Sequence, residues 1–168
     1  MKKKATLLLV LLICSAFLTG CGEAESSTQT DYLSVYSFSG ENEQFAISNG
    51  VVVLTETEEY FYGGTLEINP DNFSNIASCS MTFYIASGDE KRVVLSNSVE
   101  NMAGGVVSIS GDIGKISGDG IITEAMIDEH QPLQNNLLFE LTTVDLNGEE
   151  IVYQVPLSLT EITDTVTQ

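Results

Sequence analysis

The stretch that decides the fold is Leu137–Leu157, LLFELTTVDLNGEEIVYQVPL, in which apolar and polar side chains alternate on both sides of a turn. Alternation with a period of two is typical of strands that bury one face. A three-residue loop at 146–148 pairs the apolar residues across the hairpin: Leu141 with Tyr153, Phe139 with Val155 and Leu137 with Leu157. A two-residue loop would instead oppose them with a glutamine and a proline. The pattern therefore predicts a bulged turn with Gly148 at positive φ, and Pro156 on the outward side.

Short alternating runs of this kind recur after residue 31, separated by turn signals such as Asn-Gly, Gly-Gly and Ser-Gly-Asp. They are rich in valine, isoleucine, threonine and aromatic residues, which is the composition of pleated sheets. The sequence predicts an all-β domain at residues 32–160, an antiparallel β-sandwich of about eight to ten strands, and a C-terminal tail at 161–168. Strands are expected near residues 32–39, 43–48, 51–57, 60–68, 77–86, 91–97, 105–110, 120–127, 137–145 and 149–160.

The dipeptide Asn49-Gly50 predicts another hairpin, because Asn-Gly is a favoured pair for a two-residue type I′ turn. Such a turn agrees with the side-chain pattern, since it pairs apolar residues across the two strands: Ile47 with Val52 and Phe45 with Leu54.

A candidate binding segment lies at Glu56–Gly64, ETEEYFYGG, where acidic residues meet three successive aromatic residues. Strand alternation, carried through the predicted strand at 60–68, places Tyr60 and Tyr62 on the core face and leaves Phe61 facing outward. An outward ring beside Glu58 and Glu59 is a candidate site for a sugar or a basic partner. The alternative is that a second sheet covers Phe61, and the absence of tryptophan from the chain favours this alternative.

The chain is strongly acidic: its 168 residues include 24 Asp and Glu against 6 Lys and Arg, which gives a net charge of −18. Three of the basic residues are Lys2, Lys3 and Lys4, and no acidic residue precedes Glu23, so removing these three charges leaves −21 for the rest. This balance argues against nucleic acid and against an anionic lipid surface as partners. An acidic field favours a basic protein or a cation.

Residues 1–20 have the pattern of an export signal, a basic start followed by an apolar run too short to cross a bilayer. The run ends in Leu18-Thr19-Gly20-Cys21, and here the chain resembles the bacterial lipoproteins, whose lipobox has this form. The resemblance implies that the signal is cut before Cys21 and that the Cys21 sulfur is diacylated. Two acyl chains anchor a protein stably where one does not. An ordinary secretory signal with an incidental cysteine is the alternative.

Residues 21–31 follow as a lipidated cysteine and a predicted flexible tether, since GEAESSTQT contains no large apolar residue. The domain is therefore expected at the cell membrane, lipid-anchored, on the extracytoplasmic side. With Cys14 in the leader and Cys21 lipidated, Cys79 has no intramolecular partner. It lies on the apolar face of an alternating run at 77–86 and is predicted to be a small core residue.

The closing hairpin, with Val155-Pro156-Leu157 near its end, is similar to the last strands of immunoglobulin-like bacterial surface domains. The similarity is one of pattern, because the Cys and Trp pair of true immunoglobulin domains is missing. It implies an immunoglobulin-like arrangement of the sandwich.

Calcium is the one cofactor that the acidic composition suggests, since calcium prefers oxygen ligands such as carboxylates. The weak candidates are Asp112 and Asp119, which lie seven apart in the glycine-rich segment SGDIGKISGDG. The spacing is not that of an EF-hand, and Lys115 lies between them. Capping of tight turns is the favoured reading of both aspartates.

Catalytic motifs are missing from the sequence: it contains no Gly-x-Ser-x-Gly, no His-Glu-x-x-His and no phosphate loop. His130 is the only histidine, and a nucleophilic pair with Cys79 is disfavoured because Cys79 is expected in the core. The sequence thus favours a lipid-anchored surface protein that acts as a binding or structural module. A domain binding calcium or an envelope polymer is the first alternative, and a hydrolase is the second.

Overall fold

The computed structural model describes residues 33–101, 106–123 and 133–162, all within one compact unit of the chain, Asp31–Gln168. The predicted leader at 1–20, the tether at 21–31 and most of the tail at 161–168 lie outside the described residues.

The described residues form eleven strands and two short 3-10 helices, against the eight to ten strands expected. The strands are β1 Leu33–Glu41, β2 Phe45–Thr55, β3 Glu59–Tyr62, β4 Thr65–Ile68, β5 Ile76–Ser87, β6 Glu90–Glu100, β7 Gly111–Asp112, β8 Lys115–Gly118, β9 Leu137–Asp145, β10 Glu150–Pro156 and β11 Ser158–Glu161. The 3-10 helices are Pro70–Asn72 and Leu133–Asn135.

The strands form two antiparallel sheets, which confirms the predicted all-β sandwich. The larger sheet has the order β11-β1-β2-β3-β8, with β4 paired to β2 and β7 paired to β4. The smaller sheet has the order β10-β9-β5-β6. Phenylalanine rings from both sheets meet in the core: Phe61 lies 5.0 Å from Phe83, which lies 4.9 Å from Phe139.

The closing hairpin forms as predicted. Tyr153 pairs with Leu141 and Val155 with Phe139, and Gly148 has a φ of 84°. The turn is held by the carboxylate of Asp145, whose Oδ1 accepts the backbone N–H groups of Asn147 and Glu149 at 2.8 Å. Pro156 is exposed on β10, an edge strand, where its missing N–H costs no ladder hydrogen bond.

The predicted hairpin at Asn49-Gly50 is wrong, because β2 runs straight through these residues. Asn49 does have a positive φ of 59°, but as the extra residue of a β-bulge: Phe38 pairs with Gly50, whereas Gly40 pairs with Ile47. The bulge divides β2 into two halves, of which the first pairs with β4 and the second with β3.

The remaining differences concern strand limits. The expected strand at 60–68 is split at Gly63-Gly64 into β3 and β4, and the described residues 106–110 form no strand. Residues 121–123, at the start of the expected strand 120–127, form a turn, and its end lies outside the described residues. The predicted strand at 77–86 is confirmed, since it lies within β5. Cys79, Phe83 and Ile85 on its apolar face are all buried.

The pairing of β1 with β2 defines two ends of the larger sheet. Leu33, where β1 begins, pairs with Thr55, next to the turn that leads from β2 to β3. Glu41, where β1 ends, pairs with Ala46 beside the turn at the opposite end. The chain therefore enters the sandwich at the end that carries the β2–β3 turn.

Candidate functional site

The aromatic residues of β3 face the opposite way from the prediction. Phe61 is fully buried, with none of its side chain exposed, whereas Tyr62 is 39% exposed and Tyr60 is half-buried. Phe61 stacks on Phe38 at 5.2 Å. Phe61 is thus a core residue, as the alternative reading had it, and the tyrosines are the outward residues of this strand.

The error arises at Gly63-Gly64, where the chain turns between β3 and β4. Gly64 has a φ of 76° and lies so close to the backbone of Ser48 and Gly50 that a Cβ atom would overlap it. Because the turn interrupts the strand, alternation does not carry across it, and both Phe61 and Leu66 point into the core. The predicted strand at 60–68 contains both Phe61 and Leu66 with no turn between them, which is why its alternation gives the wrong face for Phe61.

The two tyrosines lie in rows of side chains that cross the outer face of the larger sheet. Partner strands place these residues beside them: Val53 and Ser117 flank Tyr60, and Val51 and Lys115 flank Tyr62. The groove between them has a volume of ≈ 230 Å³ and is lined by β3 and by the edge strand β8. We name as the tyrosine site the five residues Glu58, Tyr60, Tyr62, Lys115 and Ser117.

The site contains one acidic and one basic side chain, each next to a tyrosine. The hydroxyl of Tyr60 donates a hydrogen bond to Oε2 of Glu58. This bond, with the negative charge of the carboxylate, raises the pKa of Tyr60. Lys115 Nζ lies over the Tyr62 ring, 6.0 Å from its centroid, a distance at which a cation is attracted to the ring face.

Glu58 is held in place by the turn between β2 and β3. The hydroxyl of Thr55 donates to the backbone oxygen of Glu58 at 2.6 Å and accepts the Glu58 N–H at 2.9 Å. The backbone N–H of Thr55 also donates to the Glu58 oxygen at 3.0 Å. The sequence correctly singled out Glu58 as exposed beside an aromatic residue, although the residue it contacts is Tyr60.

Glu59, predicted next to Glu58 as a binding residue, is instead buried, with 5% exposure. Its carboxylate accepts the backbone N–H groups of Ile122 and Thr123 and the Thr123 hydroxyl, the last at 2.6 Å. Glu59 therefore fastens the segment after β8 to β3 and is not available to a partner in solution. The donors lie 63 and 64 positions away, so no local sequence signal marks this role.

Asp112 and Asp119, the weak calcium candidates, lie at opposite ends of β8 and are both exposed. Asp112 is paired with Thr65 of β4, and its Oδ1 accepts the Gly114 N–H at 2.8 Å. Asp112 thus caps a tight turn, the reading that the sequence favoured. Among residues 33–101, 106–123 and 133–162, no three His, Cys, Asp or Glu side chains converge as metal ligands.

Of the nucleophilic pair that the sequence disfavours, only Cys79 lies among the described residues. Cys79 is buried in the core, and burial raises the pKa of its thiol. His130 lies outside the described residues. A hydrogen bond from Lys91 lowers the pKa of Glu140, and the backbone N–H of Glu149 lowers the pKa of Asp145.

Cys21, the predicted lipid attachment site, also lies outside the described residues. Within the described part of the chain, no helix has the length and apolar character needed to span a membrane. Comparisons with models of protein families, with curated proteins and with solved structures gave no match. The resemblances to lipoproteins and to immunoglobulin-like surface domains stay predictions.

Proposed function

We propose that the protein is a binding module that a lipid on Cys21 holds at the extracytoplasmic side of a cell membrane. The anchor is supported by the leader and by the complete lipobox pattern at Leu18-Thr19-Gly20-Cys21. The binding role is supported by one structural observation, the two tyrosines that β3 presents to solvent. Aromatic side chains are the main contributors to recognition surfaces because they combine a large apolar area with a polar group.

The anchor proposed here lies close to the domain along the chain. Nine residues, Gly22–Thr30, lie between Cys21 and the compact unit that begins at Asp31. Nine residues reach at most about 30 Å even when fully extended. A lipid on Cys21 therefore keeps the domain close to the membrane.

The acidic charge suits such a short tether. Without residues 1–20 the chain carries a net charge of −21. At physiological salt, such charges are screened beyond about 8 Å, so the protein stands off an anionic bilayer without being repelled over a long distance.

Membrane fractionation of cells that express the protein tests the proposal. The unaltered chain is expected in the membrane fraction and accessible to protease added to intact cells or spheroplasts. Cys21→Ser is expected to move the domain to the soluble extracytoplasmic fraction, whereas the control Cys14→Ser, a second cysteine of the N-terminal segment, is expected to leave it with the membranes. If the Cys21→Ser protein fractionates as the unaltered chain does, the lipid anchor is refuted.

A further inference from the structure

The tyrosine site has chemical features that narrow the class of its ligand. Tyr60 and Tyr62 are two residues apart on one strand and point to the same side, so their Cα atoms are about 7 Å apart along β3. Between and beside them lie the hydroxyl of Ser117 and the ammonium group of Lys115, across the ladder to β8. The site thus offers apolar ring surface, hydrogen-bond donors and hydrogen-bond acceptors within one shallow groove.

The charges of the site favour an uncharged ligand. Glu58 and Lys115 balance one another, so the site itself has no net charge. The acidic field of the chain, which carries −18, repels a polyanion. The same field attracts a polycation to the protein as a whole, but at the tyrosine site Lys115 already lies over the Tyr62 ring where a ligand cation would bind.

We propose that the tyrosine site binds an uncharged polysaccharide. The apolar C–H faces of sugar rings stack on the tyrosine rings, which contribute apolar contact area without a charge. Sugar hydroxyls donate charge-assisted hydrogen bonds to the carboxylate of Glu58 and accept them from the ammonium group of Lys115. They also accept a neutral hydrogen bond from the hydroxyl of Ser117. This inference rests on the proposed binding role and names its ligand.

The position of the site in the fold agrees with a polymeric ligand. β8 is an edge strand of the larger sheet, so the groove beside it is open along its side and a long chain does not have to end there. The volume of ≈ 230 Å³ is below the usual range of about 300 to 1,000 Å³ for sites that enclose a small molecule. The groove therefore suits one or two units of a longer chain better than a small ligand that must be enclosed.

Affinity electrophoresis of the full-length protein tests the inference. The protein, purified from membranes in a detergent without a sugar headgroup, is run in native gels with and without hydroxyethyl cellulose, galactomannan, dextran or soluble β-1,3-glucan. At least one of these four uncharged probes is expected to retard it. Tyr60→Ala/Tyr62→Ala is expected to weaken the retardation by roughly tenfold in dissociation constant.

A matched variant outside the tyrosine site separates loss of the ring surface from a general effect of removing an exposed apolar side chain. Ile151→Ala removes an exposed apolar side chain, 44% exposed, from the smaller sheet, and is expected to bind unchanged. Thermal melting of each variant shows whether it is folded. If the double alanine variant is unfolded, Lys115→Ala and Ser117→Ala replace it, and each is expected to weaken binding.

The inference is overturned if none of the four polysaccharides retards the protein, or if the folded alanine variants bind as the unaltered chain does. It is equally overturned if polylysine or polygalacturonate binds at the tyrosines more tightly than the uncharged polymers. None of these results changes the distribution of the Cys21→Ser protein between membranes and medium, so a failure of this inference is distinguishable from a failure of the lipid anchor.

Discussion

The carboxylate of Glu59 on β3 accepts a hydrogen bond from the backbone N–H of Ile122, which lies 63 residues later in the chain. Ile122 is itself fully buried, so this contact joins a buried polar side chain to a core residue on the segment that follows β8. The same carboxylate takes both donors of Thr123. A single side chain thus accepts the backbone N–H groups of two successive residues of this turn.

Replacing Glu59 with alanine is expected to destabilise the domain by about 1 to 3 kcal/mol, because the buried N–H group of Ile122 loses its acceptor. Glu59→Gln retains one carbonyl oxygen and is expected to lie between the alanine variant and the unaltered chain. The control is Glu67→Ala, an exposed glutamate of β4, for which a change within about 0.5 kcal/mol is expected. Urea unfolding of the three variants checks this expectation. Equal midpoints for Glu59→Ala and Glu67→Ala would show that Glu59 does not hold the segment after β8 in place.

The contact between Gly50 and the Phe38 ring predicts coupled stability effects. A Cβ atom at position 50 would overlap this ring, so Gly50→Ala is expected to cost about 1 to 3 kcal/mol by overpacking. In a Phe38→Leu background the ring is gone, and the same substitution is expected to cost clearly less. Urea unfolding of the double-mutant cycle measures the difference. Strictly additive costs would show that the ring does not press on Gly50.

The sequence was sufficient where local spacing decides the structure. At the closing hairpin, loop length alone sets the register, and the three-residue loop with Gly148 follows from matching the apolar faces. At Asn49-Gly50 the same dipeptide forms a bulge, because β3 and β4 pair with the two halves of β2. That choice depends on strands that the local sequence does not reveal.

The candidate site was only partly predictable for a similar reason. Alternation separates Phe61 from Tyr60 and Tyr62 but does not say which set faces the core. Continuity with the residues after Gly63-Gly64 predicts that the tyrosines face the core, but the chain turns at these glycines. Proximity to Glu58 predicts a surface position for Glu59, whereas its burial follows from donors that come from the segment after β8.

The hydrogen bond from Tyr60 to Glu58 predicts a pH effect at the tyrosine site. This bond raises the pKa of Tyr60. Its contribution to stability is therefore fully present below the ordinary tyrosine pKa of about 10, and it is lost as the pH rises through the raised pKa. Glu58→Gln is expected to bring the Tyr60 pKa back towards its ordinary value. Nuclear magnetic resonance titration of labelled tyrosine rings measures it, with Glu67→Gln as the control. An unchanged midpoint in Glu58→Gln would refute the contact.

The ion pair between Lys91 Nζ and Glu140 Oε2, 2.8 Å apart, predicts a second pH effect. The hydrogen bond lowers the pKa of Glu140, so its contribution to stability is present above the ordinary glutamate value of about 4.3 and is lost as the pH falls through the lowered one. Glu140→Gln is therefore expected to be slightly less stable than the unaltered chain at neutral pH. The gap is expected to narrow below about pH 4. Urea midpoints of both proteins, measured against pH, give the result. If the stability difference between them widens in acid, the ion pair does not lower the pKa of Glu140.

Mass spectrometry of the N-terminal peptide from membrane-purified protein tests the lipid anchor most directly. The peptide is expected to begin at Cys21 and to carry a diacylglyceryl group on its sulfur. A mature chain that begins at another residue, or an unmodified Cys21 thiol, would contradict the anchored binding module.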